Sequence, residues 1–212
     1  MKEKIKNVLK AEAAAIMNIP VSDSFEKTIN MIFENVHVKK GKLVTSGMGK
    51  AGQMAHDIAT TFSSTGTPAV FLHPSEAQHG DLGVLQENDL LMVISNSGKT
   101  REIEELFILK NNLYPFMPVI LITGKENSPL ADKSDCVIYT GGPEEVCFLG
   151  LTPTTSTTVM TVIGDVLVVL MMEKINFTAD GYAKRHHGGY LGEKSRQKSE
   201  VRSQKSEVRS KK

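Results

Sequence analysis

The sequence predicts an α/β protein whose parallel sheet is covered by helices on both faces. Short apolar strands alternate with stretches that carry apolar residues at helical spacing along most of the chain. The strands read as near-continuous apolar runs, as in DLLMVISNS and PVILITG, which is the pattern of strands buried on both faces. At 212 residues the chain has room for one such domain with a full core.

Taken in order, residues 3–17 and 23–38 have helical periodicity through Ile5, Val8 and Leu9, then Phe25, Ile29, Ile32 and Phe33, with Pro20 between them. GKLVTSG (41–47) is the first strand. Ala51, Met54, Ala55, Ile58, Ala59 and Phe62 then make one apolar helix face. PAVFLHP, DLLMVISNS, PVILITG and CVIYTGG are strands two to five, with REIEELFILKNN as the helix between the third and fourth. The last core helix opens at LTPTTSTTV, where Thr152 suits the N-cap and Pro153 the first helical position. From Val166 to Met172 this helix is apolar all round, as expected of burial in an assembly or against a partner subunit.

Charge divides the chain. Lys194–Lys212 holds eight Lys/Arg against two Glu, a charge of +6, so residues 1–193 carry −5. An acidic body is not the footprint of a nucleic-acid binder. The tail, 194–212, repeats the heptad QKSEVRS at 197–203 and 204–210. One valine per heptad buries nothing, so a solvated, disordered tail is expected. The N-terminal stretch lacks the unbroken apolar core of a signal peptide. The most apolar run, VLVVLMM, is far short of the roughly 20 residues of a membrane span. Cys136 and Cys147 form no metal or disulfide pattern. These features together predict a cytoplasmic protein without membrane or nucleic-acid partners.

Three loops at expected strand ends carry anion-holding chemistry. GMGKAG (47–52) matches G-x-G-x-x-G but lacks the acidic residue a dinucleotide fold needs at the end of strand two, and Lys50 at a helix start favours an anion nearby. SNSGKT (95–100) ends like a P-loop, yet Val93 stands where that motif requires glycine, which argues against a triphosphate. PTTSTT (153–158) places five hydroxyl residues at a third helix start. Together they predict a small phosphorylated ligand. The candidate phosphate-holding residues are Ser46, Gly47 and Gly49, then Ser95, Asn96, Ser97 and Thr100, then Thr155, Ser156 and Thr157.

The stretches SGMGKAG, STGTPAVFLHPSEAQHGDLG, VISNSGKTREI, LGLTPTTSTTVMTVIGDVL and HHGGYLG together resemble the sugar-isomerase (SIS) domain of arabinose-5-phosphate isomerases, over about residues 10–193. The resemblance implies a flavodoxin-like three-layer αβα sandwich with a five-stranded parallel sheet. It implies interconversion of D-ribulose 5-phosphate and D-arabinose 5-phosphate for 3-deoxy-D-manno-octulosonate synthesis, with no cofactor and no metal. It also implies a homotetramer whose sites borrow residues from a neighbouring subunit. Lys50, His79, Glu102, Glu145 and His186 match polar residues that the family places round the sugar. Lys99 stands where the family has Glu, and His187 where it has Pro. Many members continue into two CBS modules; this chain has its basic tail there and looks like the catalytic module alone. Feedback by a downstream sugar acid, or its nucleotide-activated form, is then expected at the active site or through subunit contacts.

Aldose–ketose isomerisation moves a proton between C1 and C2, with phosphate binding supplying the positioning energy. His79, His186, Glu102 and Glu145 are all residue types able to serve, and the base stays open among them. The histidines rank first because an imidazole titrates near neutral pH. Two other readings use the same loops: a sugar-phosphate sensor without catalysis, and an isomerase of another ketose phosphate. Retention of the acid/base residues favours an enzyme.

Overall fold

A computed structural model describes residues 1–186 and 188–196. His187 and residues 197–212, including both heptads, lie outside the described residues. Five strands, β1 (Leu43–Gly47), β2 (Ala69–Phe71), β3 (Leu90–Ile94), β4 (Val119–Thr123) and β5 (Cys136–Tyr139), form one all-parallel sheet in the order β2-β1-β3-β4-β5. That order is the flavodoxin-like doubly wound one, with its direction of winding reversing between β1 and β3.

The period of two along each strand builds the two layers. Leu43, Leu90, Met92, Ile94, Ile120 and Ile122 face one core, packed under α2 (Asp23–Ile32), α3 (Gly49–Ser64) and α6 (Thr155–Lys174). Val44, Leu91, Val93, Val119 and Leu121 face the other, under α4 (Pro74–Ala77) and α5 (Arg101–Leu113). Both faces are covered, which accounts for strands that read as unbroken apolar runs. The result is a three-layer αβα sandwich, with the carboxyl ends of the strands and the amino ends of α3, α5 and α6 gathered on one edge.

Several boundaries differ from the sequence expectation. The helical stretch 23–38 changes pitch: α2 ends at Ile32 and Phe33–Val38 continues as a π-helix. α1 (Lys2–Met17) buries none of its residues, and Ile5, Val8 and Leu9 stay exposed because only its Ala11–Ala15 side meets the fold. α6 begins two residues later than its proline suggests, with Thr154 at the N-cap rather than Thr152. α6 is also more apolar than its central run implies: by length and composition the whole of Thr155–Lys174 is able to cross a membrane, but half of that stretch is buried inside the fold as a core helix. Leu167, Val168 and Met171 are buried against the sheet layer, whereas Val166, Val169 and Leu170 face outward. A short helix absent from the sequence expectation, α7 (Ala179–Arg185), follows, and residues 189–196 are helical.

Candidate active site

The loop after β3 is held open by a glycine. Gly98 has φ +64°, and a Cβ there would lie 2.2 Å from Ser128 Oγ, so a side chain is excluded both by backbone conformation and by space. Leu130 N–H donates to Gly98 O and Gly124 N–H donates to Asn96 O, each at 3.1 Å, which bolts residues 95–100 to the segment after β4. Inside the loop Ser95 Oγ and Thr100 Oγ1 share a 2.7 Å hydrogen bond, and Ser97 Oγ accepts the Lys99 N–H at 3.3 Å. The Gly-Lys-Thr sequence thus forms a short turn into α5, with Val93 buried on β3 rather than serving any loop.

The loop forms one wall of a cleft of about 400 Å³ at the sheet's reversal point, where ligands of such sheets bind. Met48, Lys50 and Ala51 line it from the start of α3; Ser95, Asn96, Ser97 and Thr100 from the β3 loop; Lys125 from the β4 loop; and Ser156, Thr157 and Met160 from α6. Among the described residues the lining holds two lysines and no carboxylate. The amino ends of α3 and α5, the hydroxyls of the β3 loop and two ammonium groups converge there, chemistry suited to a dianionic phosphate, while the amino end of α6 closes the cleft with its own donors taken by Glu145 and Thr154. Lys125 lies outside the sequence expectation, because a lone lysine after a strand carries no signal in sequence.

Of the other candidate phosphate residues, Ser46 is buried and donates its hydroxyl to Leu72 O at 2.6 Å, tying β1 to the end of β2. Gly47 sits where a Cβ would meet the Ala51 and Gly52 backbone at 3.0 Å, so it lets α3 approach β1. Gly49 opens α3 with φ +57°. Thr155 is buried and turned to α1, donating to Glu12 Oε1 at 2.9 Å. None of these four lines the cleft.

None of the candidate proton-transfer residues lines the cleft; Glu145, Glu102 and His79 lie on its edge of the sheet. Glu145, in the loop between β5 and α6, caps α6: its Oε2 accepts from Thr154 N at 2.7 Å, Ser156 N at 3.3 Å and Thr154 Oγ1 at 3.1 Å, and its Oε1 from Ser156 Oγ. Burial pushes this carboxyl up, but the Ser156 and Thr154 hydrogen bonds outweigh it and hold the group below its ordinary value. Glu102 is half-buried in the first turn of α5, next to the β3 loop. His79 is exposed in the loop after α4, before Gly80, on the same edge of the sheet. Gln78 beside it donates to Glu105 Oε2 at 2.7 Å, which fastens this loop to α5.

His186 is elsewhere. It caps α7 and stacks on Tyr182, with ring centroids 3.8 Å apart and an 8° interplanar angle. Tyr182 shares a cavity with Met172, about four turns along α6 from Ser156. At roughly 1.5 Å rise per residue that separation is on the order of 20 Å. Phe177 packs on Gly66, at the far end of α3 from Gly49, which places the same segment beneath the opposite edge of the sheet. His186 therefore cannot reach the cleft of its own protomer. Lys99 is exposed at the start of α5 and does not line the cleft.

Residues 37–170 match the SIS domain family. A structure from Bacteroides fragilis NCTC 9343, assigned as a phosphosugar isomerase involved in capsule formation, is 66% identical with a TM-score of 0.89, over 90% of this chain and 99% of that one. An Escherichia coli CFT073 protein solved in complex with arabinose 5-phosphate is 34% identical with a TM-score of 0.77, over 86% of this chain and 95% of that one. Arabinose 5-phosphate isomerase KdsD of Shigella flexneri is 46% identical over 155 residues, 73% of this chain and 47% of that protein. The chain thus spans about half the length of the curated relatives it matches. The family match runs from before β1 into the last third of α6 and takes in every strand and every loop of the cleft, so the chain belongs to the SIS domain family.

Proposed function

We propose that the chain is an aldose–ketose isomerase that interconverts D-ribulose 5-phosphate and D-arabinose 5-phosphate, the latter feeding 3-deoxy-D-manno-octulosonate synthesis for surface polysaccharide. The observation that carries this reading is the cleft itself: hydroxyls, helix amino ends, Lys50 and Lys125 converge in a space the size of a small ligand, with no carboxylate among the described residues of the lining. The similarity to arabinose 5-phosphate isomerases supports this choice of sugar. Ser95, Ser97 and Thr100, with Lys50 and Lys125, hold the phosphate, and Ser156 and Thr157, whose hydroxyls donate to Glu145 and Thr154 O, wall it in; this fixes C1 and C2 several ångströms away. A base removes the proton from one carbon and the conjugate acid returns it to the other, through an enediol whose oxygens need donors. Glu102, Glu145 and His79 lie on the cleft's own edge of the sheet and are the candidates for that step. The distance of His186 from its own cleft supports a composite site in a homotetramer, in which one protomer lends His186 to its neighbour.

The active form is a cytoplasmic tetramer that needs no cofactor. A downstream sugar acid, or its nucleotide-activated form, competes for the same anion-binding loops. The test is incubation of the protein with ribulose 5-phosphate, with the product identified by NMR and C2-proton exchange followed in variants. Arabinose 5-phosphate is expected; a different aldose, or no turnover, overturns the substrate assignment. His79→Ala and His186→Ala are expected to lower kcat by about 10²–10⁴. If both exchange protons at the wild-type rate and Glu145→Gln does not, the base is the glutamate.

A further inference from the structure

Glu12 lies on α1, far in sequence from every loop of the cleft, yet it touches the first turn of α6. Thr155 Oγ1 donates to Glu12 Oε1 at 2.9 Å and accepts the Val146 N–H at 3.1 Å. Thr155 is 1% exposed, so no solvent competes for these bonds. A hydroxyl has one proton and two lone pairs. Giving that proton to Glu12 turns the oxygen so that a lone pair meets Val146. Val146 follows Glu145, and Thr155 precedes Ser156, whose hydroxyl donates to Glu145 and which lines the cleft. Two consecutive loop residues are thus tied to two consecutive helix residues, and Glu12 closes the arrangement from behind. Its other oxygen, Oε2, is buried and finds no donor among the described residues, so the carboxylate is held at this spot by Thr155.

We infer that Glu12 is a positioning residue of the active site: through Thr155 it sets the place of the Glu145–Val146 peptide, and with it the Glu145 carboxylate over Ser156. Its kinetic part rests on the proposed isomerase activity; its structural part does not. The loop carries its own reporter, since Cys147 Sγ accepts the Leu151 and Thr152 N–H groups at 3.3 and 3.2 Å, while the other cysteine, Cys136, is buried.

The experiment compares Glu12→Ala, Glu12→Gln, Thr155→Val and the Glu12→Ala/Thr155→Val pair in the full chain, each checked for native circular dichroism. The first measurement is the rate of Cys147 alkylation by iodoacetamide, which needs no substrate. The second is kcat and KM for ribulose 5-phosphate. In Glu12→Ala and Thr155→Val, alkylation at about pH 7 is expected to slow several-fold, because Cys147 loses the Leu151 and Thr152 N–H donors that favour its thiolate, and kcat to fall about tenfold, with KM within about threefold. Glu12→Gln keeps the Oε1 acceptor and stays within about twofold of wild type. The double variant is no worse than the worse single one, because both act through one link. Unchanged alkylation in a folded Glu12→Ala, a Gln variant as impaired as Ala, or additive losses in the pair each overturn the inference. If Glu12→Ala does not fold, a Thr155→Val with wild-type alkylation overturns it equally. A wild-type protein inert towards ribulose 5-phosphate, with the alkylation series as expected, refutes the substrate assignment and leaves the Glu12 link standing.

Discussion

Ser97 accepts the Lys99 N–H and keeps its own proton for an anion in the cleft. Ser97→Ala is expected to raise KM for ribulose 5-phosphate by a factor corresponding to about 1–3 kcal/mol, the range for a hydrogen bond to a charged group. Its kcat should change little, since in the proposed reaction this hydroxyl would grip the phosphate equally before and during the proton transfer. Lys125→Ala is expected to shift KM in the same direction and to weaken its dependence on ionic strength. Steady-state kinetics at two salt concentrations check both; ATP turnover that depends on Lys99 would instead restore the triphosphate reading. A second residue reports through pH. The Thr152 and Leu151 donors hold the Cys147 thiol down to about 7, against burial. Its alkylation rate should therefore rise with pH and reach half its maximum near 7, as the thiolate forms. A midpoint at the ordinary thiol value would show that the loop does not hold the sulfur as described.

The loop between β5 and α6 works as a unit with the helix it enters. Glu145 has a folded-state pKa below its unfolded one, so it adds stability above the ordinary carboxylate range and loses it as pH falls through the lowered value. Glu145→Gln is expected to melt lower at pH 7 by the equivalent of about 0.5–2 kcal/mol, as for a lost helix cap. The difference should begin to narrow as pH falls below the ordinary carboxylate range and close as pH passes through the lowered value. A gap in thermal melts that stays constant as the pH falls through the acid range would show that the charge is not what holds the helix. This cap also marks the boundary of what the sequence made legible. Hydrophobic patterning located every strand and the face of α3, because a buried parallel sheet writes its core into consecutive residues. Pro153 suggested a helix start two residues early, since the carboxylate that caps α6 comes from Glu145, nine residues upstream of Thr154. Repeated Ser and Thr in two loops pointed to the cleft. Nothing local distinguished Thr155, which faces α1, from Ser156 and Thr157, which face the cleft; helical rotation decides that, and spacing within a hydroxyl run does not reveal it. Lys125 and Glu12 act through partners distant in sequence, beyond the reach of any motif.

At the scale of the molecule, α6 carries the cleft at one end and leads to His186 at the other, and Val166, Val169 and Leu170 lie exposed on its outer face. Light scattering is expected to show a tetramer, and Val169→Lys to dissociate it with loss of activity; a fully active monomer at low micromolar concentration would end the assembly proposal. The composite site has a sharper test. Mixing Ser97→Ala with His186→Ala chains, after dissociation and reassembly, should recover kcat/KM at clefts that join an intact Ser97 to a neighbour's intact His186, whereas each variant alone keeps a lowered kcat/KM. No recovery in confirmed mixed oligomers would show that His186 does not act across subunits. The β3 wall of the cleft is fixed by the chain itself: Gly98 is held to Leu130 and Ser128, and Gly124 to Asn96, by backbone bonds and by contacts that leave no room for a Cβ. A wall already fixed has little chain left to order when phosphate enters. Calorimetry of inorganic phosphate binding should therefore show a heat-capacity change close to zero, because almost no apolar surface is newly withdrawn from water.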